Sequence, residues 1–272
     1  MPELFALRKM DKRPATEAEI ETTKPLFKRG HGAKEQLGLL FIHGFTVTPA
    51  NFRAYAEEFA ELGYTVSVPL LPGHGETPEA LDSVLWQDWL DAVVEAYDEL
   101  RAGCQRVFVV GISLGGALAI QLAHRRQDVV KLYLLAPAVY PIPLLAIASR
   151  TLIPLLKRFG VRYWMHVAGD VKATDGFELG YGKTPIRGLE QLTACMRATR
   201  EVLPRVTTDA QIFQGRVDHE VPAAKAKAIY GGLGSRRREL VWLESSYHEI
   251  PRDHDAQLVL DRIKADLGAM SS

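Results

Sequence analysis

Cysteine is scarce in this chain of 272 residues, which contains only Cys104 and Cys195. Two cysteines are too few for a disulfide framework, and they do not form a Cys-x-x-Cys metal motif. We therefore expect both to be buried free thiols in a reducing compartment.

Net charge and long apolar runs are also lacking. The 33 lysines and arginines balance 33 aspartates and glutamates, and without a basic cluster we expect no nucleic-acid partner. The amino-terminal sequence MPELFALRKMDKRP has no apolar core of the kind found in signal peptides. The most apolar stretch, residues 136–148, is broken by prolines and shorter than the roughly 20 residues of a membrane span. We expect a cytoplasmic protein.

The chain does contain ample apolar material for a core, at 47% of its residues. This content argues against disorder. The length suits one large α/β domain, or a domain that carries a sizeable insertion.

The most informative stretch is residues 106–116, which read RVFVVGISLGG. The apolar, β-branched run favours a strand covered on both faces, and the sequence ALAIQLAHR that follows has a helical pattern. Ser113 lies at the turn between them, in the Gly-x-Ser-x-Gly spacing of a nucleophile elbow. Such a turn is strained, and side chains beside the serine would collide with the strand and the helix, which explains the glycines.

This stretch has two alternative interpretations. A plain strand-to-helix turn is the simpler alternative, since five matching residues occur by chance. A phosphate-binding loop is disfavoured, because the stretch has neither G-x-G-x-x-G nor a Walker-type Gly-Lys-Ser/Thr. The catalytic interpretation therefore depends on partners for the serine.

Strands and helices alternate along most of the chain. The patterns predict strands at residues 38–42, 64–68, 107–110, 131–135, 210–213 and 239–243. They predict helices at residues 51–62, 84–100, 117–125, 223–230 and 256–267. This alternation predicts an α/β fold with a doubly wound, mostly parallel sheet. Residues 1–36 form a weakly patterned surface segment, in which residues 25–27 hint at an edge strand.

The alternation stops at Pro137. Residues 138–205 show no clear strand but contain helical pieces at 144–156, 163–167 and 189–203. An insertion here would cover the carboxyl ends of the strands, where open α/β sheets bind ligands. We therefore expect a core formed by residues 1–136 and 206–272, and a helical cap insertion at 137–205.

A serine nucleophile needs a base, and the base needs an acid that orients it. Asp218 follows the strand at 210–213, and His248 follows the last strand, so both belong to loops at the carboxyl edge of the sheet. We predict that Ser113, Asp218 and His248 form a catalytic triad in the chain order Ser, Asp, His. Asp209 precedes its strand and would lie at the opposite edge.

Other residues are expected to lie at the surface, to form the oxyanion hole or to organise loops. His254 is expected at the surface, and His219 is expected to point away from Asp218. The backbone N–H groups of Leu114 and Phe45 are the candidate oxyanion hole. The side chains of His43 and His74 are expected to organise loops, and no motif in the sequence supports a metal site.

Six short motifs follow one another in a characteristic order. They are His43-Gly44-Phe45-Thr46, Pro72-Gly73-His74-Gly75, Trp86-Gln87-Asp88-Trp89, residues 111–116, Asp218-His219 and Ser245-Ser246-Tyr247-His248. This order resembles the bacterial carboxylesterases and monoacylglycerol lipases of the α/β-hydrolase fold, over roughly residues 38–268.

The segment ELGYGKTP, residues 178–185, also resembles part of the monoacylglycerol lipase cap. There a glutamate matching Glu178 contacts the glycerol head, which implies a substrate-binding role for Glu178. We expect it in a loop between cap helices, held by Tyr181 and Pro185. The alternative is a solvated surface carboxylate.

The resemblance implies a serine hydrolase that cleaves short- to medium-chain carboxylic esters or monoacylglycerols through an acyl-enzyme, without a cofactor. Acyl transfer, thioester cleavage and lactone hydrolysis are alternatives on the same residues. A non-catalytic binding module is a further alternative, against which the intact Ser113, Asp218 and His248 argue. Transient contact of the apolar cap with a membrane or lipid surface is compatible with the enzyme. The sequence indicates no oligomeric state.

Overall fold

A seven-stranded sheet forms the centre of the fold. The computed structural model describes residues 4–8, 11–141, 152–165 and 169–271. The strands, in chain order, are β1 (Leu4–Arg8), β2 (Asp11–Pro14), β3 (Leu26–Lys28), β4 (Leu37–Ile42), β5 (Thr65–Val68), β6 (Arg106–Ile112), β7 (Lys131–Leu135), β8 (Tyr163–Met165), β9 (Glu178–Tyr181), β10 (Lys183–Pro185), β11 (Asp209–Gly215) and β12 (Arg238–Leu243).

The order of strands in this sheet is β12-β11-β7-β6-β4-β5-β3. Neighbouring strands are parallel, except that β3 pairs antiparallel with β5. The predicted doubly wound, mostly parallel sheet is therefore confirmed. The edge strand indicated by residues 25–27 is confirmed as β3.

Helices cover both faces of the sheet. They are α1 (Glu17–Thr22), α2 (Arg53–Glu61), α3 (Pro78–Asp82), α4 (Trp86–Gly103), α5 (Leu114–Arg125), α6 (Leu152–Arg158), α7 (Ile186–Val202), α8 (Ala223–Gly232) and α9 (Ala256–Ser271). One apolar cluster joins the sheet to α4, α5, α7 and α8, and a second joins it to α2 and α9.

Strand β6 shows how the sheet is buried on both faces. Its side chains alternate, so Val107 and Val109 belong to the first cluster, whereas Phe108 and Val110 belong to the second. All four are buried, and each such side chain contributes about 1.5–3 kcal/mol when it leaves water. Burial on both faces explains why this strand reads as an unbroken apolar run.

The region 138–205 contains strands, so the expectation that it holds no clear strand is wrong. Residues 163–167 were predicted helical, but Tyr163–Met165 forms β8, which pairs antiparallel with β10. The helix expected at 189–203 is confirmed within α7. Of the helix expected at 144–156, the part up to residue 151 lies outside the described residues, and α6 begins at Leu152.

Strand β9 pairs antiparallel with β1 at the amino terminus, and Glu178 is opposite Leu7. Strands β1, β8, β9 and β10 have only three to five residues each. Such short strands carry little periodicity, and the partner of β9 is far away in the sequence, so no local pattern could reveal them. The boundaries of core and cap stay a prediction.

Candidate active site

Ser113 lies between β6 and α5 in a conformation that serine rarely adopts. Its φ of 52° is in the left-handed region, with ψ at −116°. The neighbouring chain fixes this strained turn, because the Ser113 N–H donates to the Leu135 carbonyl at 3.0 Å. The Ser113 carbonyl accepts hydrogen bonds from the N–H groups of Ala117 (3.2 Å) and Ala138 (2.9 Å). The serine is therefore held at a rigid elbow.

The glycines on either side of Ser113 are required by space. A Cβ atom on Gly111 would lie 2.4 Å from the carbonyl oxygen of Gly115, and one on Gly115 would lie 2.0 Å from that of Ile42. Both distances are too short for any side chain. The two glycines allow α5 to begin directly against β4 and β6, as the sequence predicts.

Asp218 and His248 meet across the loops that follow β11 and β12. His248 Nδ1 lies 2.9 Å from Asp218 Oδ2, and both residues are buried. Asp218 Oδ1 also accepts hydrogen bonds from the N–H groups of Glu220 (2.9 Å) and Val221 (2.7 Å), and Gln214 Nε2 donates to Oδ2 at 2.8 Å. A carboxylate so fixed keeps the proton of a neutral imidazole on Nδ1, which leaves Nε2 as the base.

The electrostatics favour a charged His248. Burial by itself lowers the pKa of His248, but the carboxylates of Asp218 and Glu220 outweigh it and hold this pKa well above its ordinary value. Glu220 Oε2 lies 3.5 Å from His248 Nε2. An imidazolium formed during a reaction would therefore be stabilised by the residues around it.

Two aspartates that the sequence analysis missed hold these loops. The Asp170 carbonyl oxygen accepts hydrogen bonds from the N–H groups of His248 and Glu249, both at 3.1 Å. The Asp253 carboxylate accepts hydrogen bonds from the N–H groups of Lys172, Ala173 and Tyr247, at 2.8–2.9 Å. Residues 170–173 are thereby joined to the His248 loop. No sequence motif predicts this long-range contact.

Of the candidate oxyanion-hole residues, Leu114 directly follows Ser113, and Phe45 lines the same cavity as Ser113. Leu114 is the first residue of α5, so its N–H is one of the unpaired donors at a helix amino terminus. Neither backbone N–H donates a hydrogen bond to another group in the described part of the chain. The Phe45 ring contacts Trp89 and His74 edge-on, with centroids 5.8 and 6.1 Å away, which fixes its loop.

His43 and His74 stabilise the loop that contains Phe45. His43 Nε2 accepts a hydrogen bond from the Leu71 N–H at 3.1 Å, so the proton is on Nδ1, which donates to the Gly44 carbonyl at 2.9 Å. Burial lowers the pKa of His43 well below its ordinary value and that of His74 to about 4. Both are neutral residues that organise loops, as predicted.

The competing residues lie elsewhere. His219 is exposed, and its Nδ1 lies 2.6 Å from Asp170 Oδ1 rather than near Asp218. Asp209 begins β11 and therefore lies at the opposite edge of the sheet. His254 is exposed. The structure thus brings Asp218 to His248 and places none of the competitors there.

A cavity of about 410 Å³ contains both Ser113 and His248. Its apolar lining comes from Phe45, Ala138, Leu189, Leu192, Met196 and Val221. Its polar lining includes Thr46, Thr184, Glu178, Glu220 and Glu249. A cavity lined by both apolar and polar side chains suits a small molecule that has an apolar chain and a polar head.

Glu178 lines the same cavity and is only 3% exposed. The alternative of a solvated carboxylate is therefore wrong, and so is the expectation of a loop, because Glu178 is the first residue of β9. Tyr181 does hold this segment: its hydroxyl donates to the Gly73 carbonyl at 2.8 Å and accepts from the Glu76 N–H at 3.1 Å.

Among the described residues, no group of three or more His, Cys, Asp or Glu residues is arranged to hold a metal ion. Within the same described ranges, no helix has the length and apolar character needed to cross a membrane.

Comparison with known proteins gives one family and several lipolytic relatives. Residues 33–255 match the Hydrolase_4 family, described as "Serine aminopeptidase, S33". The chain is 38% identical over 226 residues to the thermostable monoacylglycerol lipase of Bacillus sp. (strain H-257), covering 83% of this chain and 88% of that protein. It is 27% identical over 253 residues to a carboxylesterase of Bacillus subtilis (strain 168), covering 89% and 94%.

A solved structure agrees with these sequence relationships. It was described with LipS and LipT, two metagenome-derived lipolytic enzymes, and matches with a TM-score of 0.84 at 34% identity. The match covers 91% of this chain and 98% of that chain. The α/β-hydrolase fold predicted from the motifs is therefore confirmed.

Proposed function

The chain belongs to the hydrolase family described as "Serine aminopeptidase, S33", and on that premise we propose that it is a serine hydrolase of carboxylic esters. The observation that carries the proposal is the 2.9 Å contact between His248 and Asp218 beside a cavity that also contains Ser113. The relatives named monoacylglycerol lipase and carboxylesterase support an ester rather than a peptide as substrate.

In the proposed reaction, His248 Nε2 accepts the hydroxyl proton of Ser113 while Ser113 Oγ attacks the ester carbonyl carbon. The N–H groups of Phe45 and Leu114 stabilise the negative charge that develops on the carbonyl oxygen. The imidazolium, paired with Asp218, then gives its proton to the alcohol oxygen as the carbon–oxygen bond breaks. A water molecule that His248 deprotonates cleaves the acyl-enzyme and restores Ser113.

The proposed substrates are short- to medium-chain esters or monoacylglycerols. The apolar lining of the cavity accommodates an acyl chain, and Glu178 belongs to the polar lining as an acceptor for the free hydroxyls of a glycerol head. A charge-assisted hydrogen bond of this kind contributes about 1.5–3 kcal/mol. No cofactor takes part in these steps.

The direct test measures hydrolysis by the purified protein of monoacylglycerols and nitrophenyl esters over a series of acyl chain lengths. We expect turnover of both classes, with a burst of alcohol release that reports the acyl-enzyme. Adding a competing alcohol separates hydrolysis from acyl transfer, since a transferase forms the new ester in preference to the free acid. Absence of turnover on every ester would contradict the proposal and favour a binding module.

The insertion also presents apolar side chains to solvent. Leu155, Phe159 and Val161 are 50%, 75% and 37% exposed. We propose that they make transient contact with a lipid surface, where such side chains leave water. Flotation with anionic vesicles tests this, because Phe159→Ser should reduce binding, whereas Phe27→Ser, at an exposed phenylalanine on β3, should not. Equal flotation of the two variants would contradict it.

A further inference from the structure

A second buried carboxyl group faces the cavity beside His248. Glu249 follows His248 directly, is 3% exposed, and lines the cavity together with Ser113. Its N–H donates to the Asp170 carbonyl at 3.1 Å, and its Oε2 accepts a hydrogen bond from Asn51 Nδ2. The side chain is therefore fixed at the cavity wall, although no step of bond cleavage uses it.

Glu249 shares this wall with Glu178. Strand β9 supplies Glu178 and the loop after β12 supplies Glu249, and both side chains are almost completely buried. A buried carboxyl group beside a carboxylate does not ionise readily, because its charge would lose hydration and would be repelled by its neighbour. A proton on Glu249 removes that repulsion.

The charged groups around Glu249 favour its protonated form. Those that face it are Glu178, Glu220, His248 and Arg252. Burial and the Glu178 carboxylate raise the pKa of Glu249 well above its ordinary value, with Glu220 adding to the effect. His248 and Arg252 act in the opposite direction and do not cancel it.

We propose that Glu249 is a specificity-determining residue which, as a neutral carboxylic acid, donates a hydrogen bond to one hydroxyl of the substrate alcohol while Glu178 accepts one from another. The inference rests on the proposed ester hydrolase function. A carboxylic acid and a carboxylate on one wall offer one donor and one acceptor. Esters whose alcohol carries two free hydroxyls form both hydrogen bonds, whereas esters of simple alkyl alcohols form neither.

The test compares two substrates that differ only in these hydroxyls, 1-octanoylglycerol and propyl octanoate. The measured quantity is the ratio of their kcat/KM values, in which any effect on Ser113 or His248 cancels. The proteins are the wild type, Glu249→Gln, Glu249→Met and the matched surface control Glu61→Gln, at an exposed residue of α2. Glutamine keeps a donor at position 249, whereas methionine removes it.

In the wild type we expect the ratio to fall as the pH is raised from about 6, because Glu249 loses its proton and with it the donor. In Glu249→Gln the ratio should stay constant over the same range, since an amide does not titrate. At about pH 6, Glu249→Met should lower the ratio about fivefold, as expected for loss of one hydrogen bond. Glu61→Gln should follow the wild type.

A wild-type ratio that does not change with pH, or a Glu249→Gln ratio that falls as steeply as the wild type, would overturn the inference. The pH profile of the wild type decides the question even if Glu249→Met does not fold. If both esters are hydrolysed at a constant ratio, this inference alone fails. If neither ester is hydrolysed, the proposed function fails and the inference fails with it.

Discussion

The Asp170 carboxylate is bonded to His219 at two points, the backbone N–H at 3.0 Å and the ring Nδ1 at 2.6 Å. His219 directly follows Asp218, and the carbonyl oxygen of the same Asp170 holds the N–H of His248 at 3.1 Å. A single residue between β8 and β9 therefore ties together the two loops that bring the proposed acid and base into contact.

We predict that Asp170→Ala lowers kcat for ester hydrolysis about tenfold, since a displaced base reacts more slowly even when it is present. Asp170→Asn keeps an oxygen that can accept the His219 N–H, and it should retain most of the activity. Steady-state kinetics that separate kcat from KM provide the measurement, with Asp175→Ala at a nearby exposed residue as the control. Equal kcat values for Asp170→Ala and Asp175→Ala would show that the contact does not position the base.

A second prediction concerns pH. His248 must be neutral to accept a proton, so kcat/KM should rise with pH through a pKa above the ordinary histidine value of about 6.5. Glu220→Gln removes one carboxylate that raises the pKa of His248, so the rising limb should move to lower pH. Glu244→Gln, at an exposed residue, is the control. If the rising limb of the Glu220→Gln profile stays in place or moves to higher pH, the Glu220 carboxylate does not raise the pKa of His248.

The raised pKa of His248 also affects the stability of the folded protein. The fold favours the protonated form of His248, so this residue contributes stability that is fully present below the pKa of an unfolded histidine. That contribution is lost as pH rises through the higher pKa of the folded protein.

A third prediction concerns Glu178. Glu178→Ala should lower the ratio of kcat/KM for a monoacylglycerol to kcat/KM for a nitrophenyl ester of the same acyl chain by at least about tenfold. The reason is that the nitrophenyl ester has no hydroxyls for the carboxylate to bind. Glu244→Ala serves as the control. An unchanged ratio would make a general carboxylesterase the better description than a monoacylglycerol lipase.

A fourth prediction concerns the elbow glycines. Gly115→Ala should reduce the free energy of unfolding by about 3 kcal/mol or prevent folding, because its Cβ would overlap the Ile42 carbonyl oxygen. Gly268→Ala in α9 is the matched control, since a Cβ there meets nothing within 4 Å. The control should be stabilised by about 0.5–1 kcal/mol. Urea denaturation measures both, and a Gly115→Ala protein as stable as the control would contradict the steric account.

The parts of the fold that the sequence predicts are those with strong local patterns. Strand β6 is recognisable because burial on both faces requires an unbroken apolar run. Asp218 and His248 could be assigned because parallel strands place the loops that follow them at one edge of the sheet.

The parts that the sequence does not predict depend on distant partners. Strand β9 exists because it pairs with β1, and the role of Asp170 depends on residues 49 and 78 positions away. The burial of Glu178 follows from that pairing, so the sequence by itself indicated a loop at this segment and left a solvated carboxylate as the alternative. Helix α3 has only five residues and was missed for the same lack of a repeating pattern.

The central claim is that Ser113 is the covalent nucleophile, and labelling with a fluorophosphonate tests it most directly. Mass spectrometry of the digested wild-type protein should place the phosphonyl group on Ser113 alone. Ser113→Ala should fold normally, take up no label, and lose about 10⁴–10⁶ in kcat. Label on another serine, or near-native activity of Ser113→Ala, would contradict the account.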